Sequence, residues 1–277
     1  MMRFKGCLLA SDVDGTLMEQ GYINPRNFEA INYFVKQGGL FCIATGRSPA
    51  AMKHIVSKFC CLHNVIYYNG GMIYDYTNKN VLLSETLSDC DKEFFKRLTD
   101  KNPELCMEVY SGEKVFVVRA SEECRAHFRY QHIDFVSSEY ERVKTLPWNK
   151  AMTYYLKEYD DSTIEKEIIN FNSGSCEFIK AAGYIDGKHY CGYEQLPFGV
   201  NKGTALTALA DILCLNKNKI FAIGDYYNDY EMLKMAGVSA CPQESPKEIK
   251  DIVDFVGSAC RDGAVADFIE YLNKAIV

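Results

Sequence analysis

The sequence predicts an α/β protein in which a doubly wound, parallel-sheet core is interrupted by an inserted α+β unit. Near the start of the chain, short apolar runs alternate with amphipathic helical patterns, which is typical of parallel strands joined by helices. The middle of the chain instead carries paired strand patterns separated by turns, and the first pattern returns from Lys202. We therefore predict a core formed by 1–83 and 197–277 and an insert formed by 84–196.

The first part of the core combines three apolar runs with a well-marked helix. The runs that predict strands are 6–11, 40–44 and 65–68. Asn24 and Pro25 predict a helix start, because Asn is a favoured N-cap and Pro is tolerated in the first turn. Gly38 predicts the end of that helix.

The insert and the second part of the core are assigned in the same way. In the insert we predict helices at 89–101, from Ser121 onward and at 162–171, and strands at 105–110, 114–118, 153–157, 176–181 and 189–194. After the insert we predict helices at 202–214, 229–236 and 264–275, and strands at 219–223 and 238–241. Paired strands with helices indicate an antiparallel sheet for the insert.

Composition excludes several classes of protein. Of the 277 residues, 48% are hydrophobic and 25% charged, which is ordinary for a globular protein rather than a disordered one. A net charge of −6 argues against nucleic-acid binding, and no apolar run is long enough for a membrane span or an export signal. The twelve cysteines form no C-x-x-C pair, so we expect reduced thiols. We expect a cytoplasmic protein that is a monomer or a small homo-oligomer.

Polar residues follow the predicted core strands, at the edge where open α/β sheets bind ligands. They are Asp12 and Asp14 after the first strand, Thr45 after the second, and Asp225 and Asp229 after the strand at 219–223. Lys202 stands at a helix start, where unpaired N–H groups favour anions. Each feature alone is also compatible with a turn or a helix cap, but their joint placement predicts one shared site.

This set of residue types has a chemical interpretation. Clustered carboxylates without nearby histidine or cysteine suit a hard cation, and Mg²⁺ binds through a few carboxylates together with phosphate and water. A lysine and a hydroxyl beside that cation suit a phosphate group. Aspartate can act as a covalent nucleophile in phosphoryl transfer. The residues therefore point to the hydrolysis of phosphate monoesters.

Four segments resemble the four motifs of the haloacid dehalogenase superfamily, and most closely its Cof-type branch of Mg²⁺-dependent sugar-phosphate phosphatases. They are Asp12-Val13-Asp14-Gly15-Thr16, Thr45-Gly46-Arg47, Gly199-Val200-Asn201-Lys202-Gly203 and Gly224-Asp225-Tyr226-Tyr227-Asn228-Asp229. All four stand in the family's order, and the resemblance extends over 1–83 and 197–277. It implies a Rossmann-like core and a small phosphorylated metabolite as substrate.

The resemblance implies a role for each catalytic residue. Asp12 would be the nucleophile, and Asp14 would protonate the leaving alcohol and later activate water. Thr45 would hydrogen-bond a phosphate oxygen, and Lys202 would hold nucleophile and phosphate together.

The resemblance also implies the metal and substrate ligands. Asp12, the backbone carbonyl of Asp14 and Asp225 would bind Mg²⁺, and Asp229 would support the metal through water or through Lys202. Asn228 would orient the phosphate. The remaining candidates for binding phosphate or substrate are Gly46, Arg47 and Asn69.

The position and strand-rich pattern of the insert resemble the C2B type of cap, which closes over the core and contacts the substrate. Two segments depart from the family pattern. Tyr226 and Tyr227 stand where small or polar residues are usual, and Pro242-Gln243-Glu244 replaces a frequent Gly-Asn-Ala turn. Neither departure removes a residue with an implied catalytic role.

Two other functions stay open at this point. One is a phosphomutase of the phosphomannomutase type, which would transfer phosphate without releasing it. The other is a non-catalytic phosphometabolite-binding protein, which predicts loss of the nucleophile or of the metal carboxylate, although Asp12 and Asp225 are both present. The leaving group is equally open: a sugar phosphate is the family's commonest substrate class, and nucleotide, flavin and pyridoxal phosphates are alternatives.

Overall fold

The computed structural model describes residues 2–275 apart from 122–124, 126–127, 129–132, 157–161, 172–173 and 186–187. The chain divides into two compact units. The first comprises Met1–Gly46, Ile55–Leu83 and Asn201–Val277, and the second comprises Arg47–His54 and Ser84–Val200.

The described residues form the following strands and helices. The strands are β1 (Leu8–Ser11), β2 (Leu40–Ala44), β3 (Asn64–Tyr67), β4 (Met72–Asp75), β5 (Asn80–Ser84), β6 (Cys106–Ser111), β7 (Lys114–Arg119), β8 (Val136–Ser137), β9 (Lys150–Leu156), β10 (Cys176–Ile185), β11 (Lys188–Pro197), β12 (Ile220–Ile223), β13 (Val238–Cys241) and β14 (Phe255–Val256). The helices are α1 (Pro25–Lys36), α2 (Pro49–Val56), α3 (Asp89–Lys101), α4 (Tyr140–Val143), α5 (Ser162–Asn170), α6 (Lys202–Ile212), α7 (Tyr230–Met235), α8 (Lys247–Lys250) and α9 (Ala264–Ala275).

The first unit is built on an eight-stranded sheet with the order β14-β13-β12-β1-β2-β3-β4-β5. The strands from β14 to β3 run parallel, and β4 is antiparallel to β3. Leu8 and Ala10 of β1 pack in one cluster with Leu206 of α6, whereas the intervening Leu9 is fully buried toward the opposite face. The predicted parallel-sheet α/β fold is therefore confirmed.

Local signals set the first helix, but they did not predict the sheet edges. Asn24 caps α1 by accepting a hydrogen bond from the backbone N–H of Arg26, as its sequence position predicts. The sequence interpretation missed β4, β5 and β14. Strand β5 has only three consecutive apolar residues and β14 has two, so both fall short of the run of about four to eight on which strand prediction depends.

The second unit is built on a six-stranded sheet with the order β10-β11-β9-β6-β7-β8. Its strand pairs are antiparallel apart from β7 and β8. One face packs against helices, since Met107 and Val109 of β6 share a buried cluster with Phe95 of α3. The predicted antiparallel α+β character is thus present.

Strand lengths in the second unit differ from the sequence prediction. Strands β10 and β11 pair over Cys176–Ile185 and Lys188–Pro197, so both are longer than predicted. Strand β9 begins at Lys150, three residues earlier than predicted, because it is the central strand between β11 and β6. Most of the helix predicted from Ser121 lies outside the described residues.

Trp148, the single tryptophan of the chain, is the largest fully buried side chain of the second unit. Its indole Nε1 donates a 2.8 Å hydrogen bond to the carbonyl oxygen of Val143, and its ring meets those of Phe95 and Tyr140 edge-on. We expect Trp148→Ala to lower the free energy of unfolding by about 3–5 kcal/mol, because it removes apolar contacts and opens a cavity. Urea unfolding followed by circular dichroism measures this change.

Trp148→Phe is the matched comparison, because it keeps a ring and loses the N–H donor to Val143. A smaller loss is expected, about 1 kcal/mol for the lost hydrogen bond together with the missing ring volume, because the Val143 carbonyl still accepts from the N–H of Leu146. A Trp148→Ala protein as stable as the native chain would contradict the burial argument.

The composition raised two questions, whether a helix crosses a membrane and whether the cysteines are reduced. No helix in the described part of the chain combines the length and apolar character that a bilayer crossing requires. The cysteines that the structure describes are free thiols.

Candidate active site

The predicted site residues are brought together by the order of the central strands. Strand β1 lies between β12 and β2, so their carboxyl ends share one edge of the sheet. Asp12 leaves β1 with its N–H donated to the carbonyl of Ile223, at the end of β12, over 2.9 Å. Thr45 leaves β2 with its N–H donated to the carbonyl of Ile66 over 2.8 Å. The loop after β1 therefore starts beside the end of β12, and the loop after β2 starts beside the end of β3.

Lys202 is the central cation of the site. It is fully buried, and its Nζ donates to Asp12 Oδ1 at 2.5 Å and to Asp229 Oδ1 at 2.6 Å. It opens α6, where Asn201 and Thr204 form a reciprocal capping box that fixes the helix start. The same lysine therefore joins the β1 loop to the β12 loop.

Asp229 uses both of its carboxylate oxygens within the protein. Oδ1 accepts from Lys202, and Oδ2 accepts from the backbone N–H groups of Asp225 and Tyr226 at 3.0 and 3.2 Å. Asp229 is fully buried. These contacts suit a residue that fixes the lysine and the loop.

Asp225 is held by the loop that follows Asp14. The hydroxyl of Thr16 donates to Asp225 Oδ1 over 2.9 Å. Gly15 lies so close that a Cβ there would be 2.4 Å from Asp225 Oδ2. Sequence reasoning assigned no role to the Thr16 side chain, although its place directly after Asp14-Gly15 is a signal that could have found it.

The pKa values of Asp12, Asp225 and Lys202 are all raised in this cluster of carboxylates. Burial first, and then the charge of Asp229, raise the pKa of Asp12 well above its ordinary range, although Lys202 opposes this. Burial and Asp229 likewise raise the pKa of Asp225 to about 6. Burial disfavours the charge on Lys202, but Asp12 and Asp229 outweigh it and raise the lysine pKa. The arrangement therefore has more negative charge than its lysine neutralises.

The carboxylates of Asp12, Asp225 and Asp229 fit a small hard cation. One oxygen from each lies within 4.8 Å of the others. All three donors are oxygens, and their unbalanced charge is what a divalent cation would neutralise. Asp225 has one oxygen directed toward Thr16, and Asp229 is engaged at both oxygens, so Asp12 and Asp225 are the better placed direct ligands.

A second group of predicted residues meets beside Thr45. The N–H of Asn69 donates to the carbonyl of Thr45 over 3.0 Å, and Asn228 Nδ2 donates to Asn69 Oδ1 over 3.4 Å. Gly46 faces the same amide, since a Cβ on it would lie 2.9 Å from Asn69 Oδ1. Thr45, Gly46, Asn69 and Asn228 therefore form one neighbourhood.

The turn that carries Asn69 has an unusual backbone. Tyr68, Asn69 and Gly70 all have positive φ angles, of 56°, 53° and 116°. A buried tyrosine in the left-handed region is uncommon, and such conformations cost about 1–3 kcal/mol each. Gly70 also permits a close approach, because a Cβ there would be 2.4 Å from the carbonyl oxygen of Asn201. The fold thus holds Asn69 against the start of α6 despite local strain.

Two predicted site residues, Asp14 and Arg47, differ from the others in their exposure or in the unit to which they belong. Asp14 is exposed, in contrast to Asp12, which is 5% exposed, so the two carboxylates of the first motif lie in different environments. Arg47 belongs to the second compact unit together with the start of α2. Its side chain is half-buried.

Gly15→Ala is expected to lower kcat/KM about 100-fold. The added Cβ would displace the Asp225 carboxylate. A displacement of about 1 Å in a catalytic site lowers the rate by about 100-fold. Steady-state assays measure the loss.

Gly21→Ala is the matched control for Gly15→Ala. Gly15 and Gly21 have nearly the same φ, +85° and +82°, but no atom lies within 4 Å of a Cβ added at Gly21. Both variants carry the left-handed strain of about 1–2 kcal/mol, while only Gly15→Ala is expected to lose activity. Equal activity losses in the two variants would contradict the steric explanation.

Comparison with known proteins agrees with this geometry. Residues 9–269 match the family model described as haloacid dehalogenase-like hydrolase. The chain is 30% identical to the 5-amino-6-(5-phospho-D-ribitylamino)uracil phosphatase YwtE of Bacillus subtilis, over 95% of this chain and 97% of that protein. It is 23% identical to the HMP-PP phosphatase of Serratia proteamaculans, over 95% of this chain and 94% of that one.

Solved structures share the fold. The subclass IIB sugar phosphatase BT4131 superposes with a TM-score of 0.78 at 15% identity, covering 96% of this chain and 99% of that one. TM0651 from Thermotoga maritima superposes with a TM-score of 0.80 at 21% identity, covering 96% and 97%. The predicted family is confirmed: the chain belongs to the haloacid dehalogenase-like hydrolases, in their Cof-type branch of phosphatases.

Proposed function

We propose that the protein is a Mg²⁺-dependent phosphatase that hydrolyses phosphate monoesters of small metabolites, with a sugar or sugar-like leaving group. The observation that carries the proposal is the buried contact of Lys202 with Asp12 and Asp229, next to the carboxylate of Asp225. A nucleophile, a fixed cation and surplus carboxylates are the parts that phosphoryl transfer requires.

In the first step, a carboxylate oxygen of Asp12 attacks the phosphorus atom, and the bond from phosphorus to the leaving oxygen breaks. Asp14 donates a proton to that oxygen, so the alcohol leaves neutral. Lys202 keeps the Asp12 carboxylate oriented and stabilises the negative charge on the transferred group. Thr45 and Asn228 bind phosphate oxygens.

In the second step, Asp14 removes a proton from water, and the oxygen of that water attacks the phosphorus of the aspartyl-phosphate. The bond between phosphorus and Asp12 breaks, which restores the carboxylate and releases inorganic phosphate. The exposure of Asp14 suits this role, since a group that exchanges protons with an alcohol and with water needs access to both.

The Mg²⁺ would be held by the carboxylate of Asp12, the backbone carbonyl of Asp14 and the carboxylate of Asp225. Asp229 would support these ligands through Lys202. When bound, the cation neutralises charge on the phosphoryl group and on the carboxylates. The residues 84–196 are proposed as a C2B-type cap on a core of 1–83 and 197–277. A cap of this kind supplies contacts to the leaving group and limits water access.

The direct test is a phosphate-release screen of the purified protein with Mg²⁺ against a panel of sugar, nucleotide, flavin and pyridoxal phosphates. We expect release from at least one sugar-like phosphate and its abolition by chelation with EDTA, with recovery on adding Mg²⁺ back. The family relative from Bacillus subtilis acts on a phosphoribityl compound, so ribitol phosphates belong on the panel.

Three outcomes of the screen separate the alternatives. Release that survives thorough chelation would contradict the Mg²⁺ proposal. Transfer of phosphate between positions of a sugar, without release, would identify a phosphomutase. Tight binding of a phosphorylated compound without any turnover would identify a binding protein.

A further inference from the structure

The left-handed turn that carries Asn69 and Gly70 touches three separate segments of the site. The backbone N–H of Asn69 donates to the carbonyl of Thr45 over 3.0 Å. Gly70 lies against the backbone of Asn201, since a Cβ on this glycine would be 2.4 Å from the Asn201 carbonyl oxygen. The side-chain oxygen Oδ1 of Asn69 accepts a 3.4 Å hydrogen bond from Asn228 Nδ2. The turn therefore joins the loop after β2, the start of α6 and the loop after β12.

The backbone of this turn is held in a conformation that most residues avoid. The φ angles of Tyr68, Asn69 and Gly70 are 56°, 53° and 116°. Residues other than glycine lose stability in the left-handed region, and such conformations cluster at functional sites, where the surrounding structure enforces them. Asn is one of the residue types that adopt this region most readily, and Tyr68 beside it is fully buried. The Asn69 side chain therefore projects from a rigidly held turn.

The Asn228 side chain, by contrast, is exposed in the loop after β12. An exposed asparagine samples several rotamers in water, and fixing one of them when a ligand binds costs conformational free energy. The contact with Asn69 Oδ1 fixes the Asn228 amide before a ligand arrives. An amide nitrogen has two N–H donors, so one is held by Asn69 while the other donates to a phosphate oxygen.

We propose that Asn69 is a positioning residue that orients the Asn228 amide for the phosphoryl group and does not itself bind the substrate. This inference rests on the proposed phosphatase function, in which Thr45 and Asn228 bind phosphate oxygens. It replaces the role of substrate ligand that the family resemblance implied for Asn69. A donor that is already oriented needs no reorganisation on binding, so its benefit is affinity for phosphate and is independent of the leaving group.

Asn69→Gly tests the side chain alone, because glycine adopts the left-handed backbone without strain and keeps the N–H that donates to Thr45. We expect kcat/KM to fall by about 3- to 10-fold, mainly through KM, as for the loss of one neutral hydrogen bond. The fall should be the same for p-nitrophenyl phosphate and for the best metabolite of the screen, because both present the same phosphoryl group. A loss confined to one of the two substrates would place Asn69 against the leaving group and overturn the proposal.

Lys79→Gly is the matched control for the change of backbone. Lys79 is exposed with a φ of 55°, close to that of Asn69. It follows β4, which ends beside the start of β3 and therefore away from the site. Lys79→Gly should keep native activity, and both variants should keep the native unfolding midpoint. A midpoint lowered in Asn69→Gly, with KM unchanged, would assign Asn69 a structural role and overturn the proposal.

A double-mutant cycle shows whether Asn69 acts through Asn228. Asn228→Ala alone should raise KM at least as much as Asn69→Gly does. Adding Asn69→Gly to Asn228→Ala should then have little further effect, because the amide that Asn69 orients is already gone. Additive losses would show that Asn69 acts independently of Asn228 and would overturn the proposal.

Binding of inorganic phosphate separates this proposal from the phosphatase proposal. With Mg²⁺ present, calorimetry should show phosphate binding that Asn69→Gly weakens by about 3- to 10-fold in the native background and leaves unchanged in Asn228→Ala. If the panel yields no hydrolysis but this binding pattern is found, the phosphatase proposal fails and the positioning role stands. If hydrolysis is found and Asn69→Gly leaves phosphate binding unchanged, the positioning role fails and the phosphatase proposal stands.

Discussion

Asp12→Asn is expected to abolish phosphate release, with kcat lower by about 10⁴-fold or more. The amide has nearly the same shape as the carboxylate, but it cannot form the aspartyl-phosphate. A single-turnover assay with the best substrate from the screen measures the loss, and trapping of phosphorylated protein should fail in the variant.

The stability of Asp12→Asn distinguishes loss of chemistry from loss of fold. Burial and Asp229 raise the pKa of Asp12, so its ionised form opposes folding at neutral pH. The neutral amide should therefore leave the unfolding midpoint of the metal-free protein unchanged or higher. Asp251→Asn, the same change at an exposed position on the same unit, should affect neither activity nor stability. Native-like turnover by Asp12→Asn would remove Asp12 from the nucleophile role.

Lys202→Met is expected to have a large effect on stability as well as a severe effect on activity. Lys202 is fully buried with ion pairs to Asp12 and Asp229, and the methionine would leave these carboxylates without their cation. Breaking a buried ion pair by removing one partner costs about 3–5 kcal/mol. Urea unfolding of the metal-free protein at neutral pH measures the loss.

The loss in Lys202→Met should depend on pH in a defined direction. Burial and Asp229 raise the pKa of Asp225 to about 6, above its unfolded value, so the folded state binds a proton more readily than the unfolded chain. With a raised carboxyl pKa, stability falls as pH rises from the unfolded value through the folded one. Because Lys202 lowers the pKa of both Asp12 and Asp225, its removal raises both further. The variant therefore gains more stability than the native protein on acidification from about pH 8 to about pH 5.5, and its deficit should narrow.

Lys92→Met provides the matched control for Lys202→Met. Lys92 is also buried, at 8% exposure, but its partner Asp89 is almost fully exposed, so removing the lysine strands no buried charge. We expect a cost of about 1 kcal/mol or less and no change in activity. Equal losses in the two variants would show that burial of a lysine, rather than its carboxylate partners, sets the effect.

The sequence determined the elements whose signals are local. Asn24 and Pro25 predicted the start of α1, and the apolar run 40–44 matches β2 residue for residue, because capping and burial of a central strand act within a few positions. The order of the four motifs predicted the family and one shared edge for their residues. The domain boundaries and the chemical roles of the site residues stay predictions.

The tertiary structure decided which of those residues touch. Asp12 and Lys202 are 190 positions apart, and they meet because β1 pairs with β12 and α6 packs behind them. The closeness of Gly15 to Asp225 and the left-handed turn at Tyr68 follow from the same packing. No local pattern encodes these contacts, since propensity and periodicity describe neighbours along the chain. Sheet order, burial and the balance of charge depend on residues that only folding brings together.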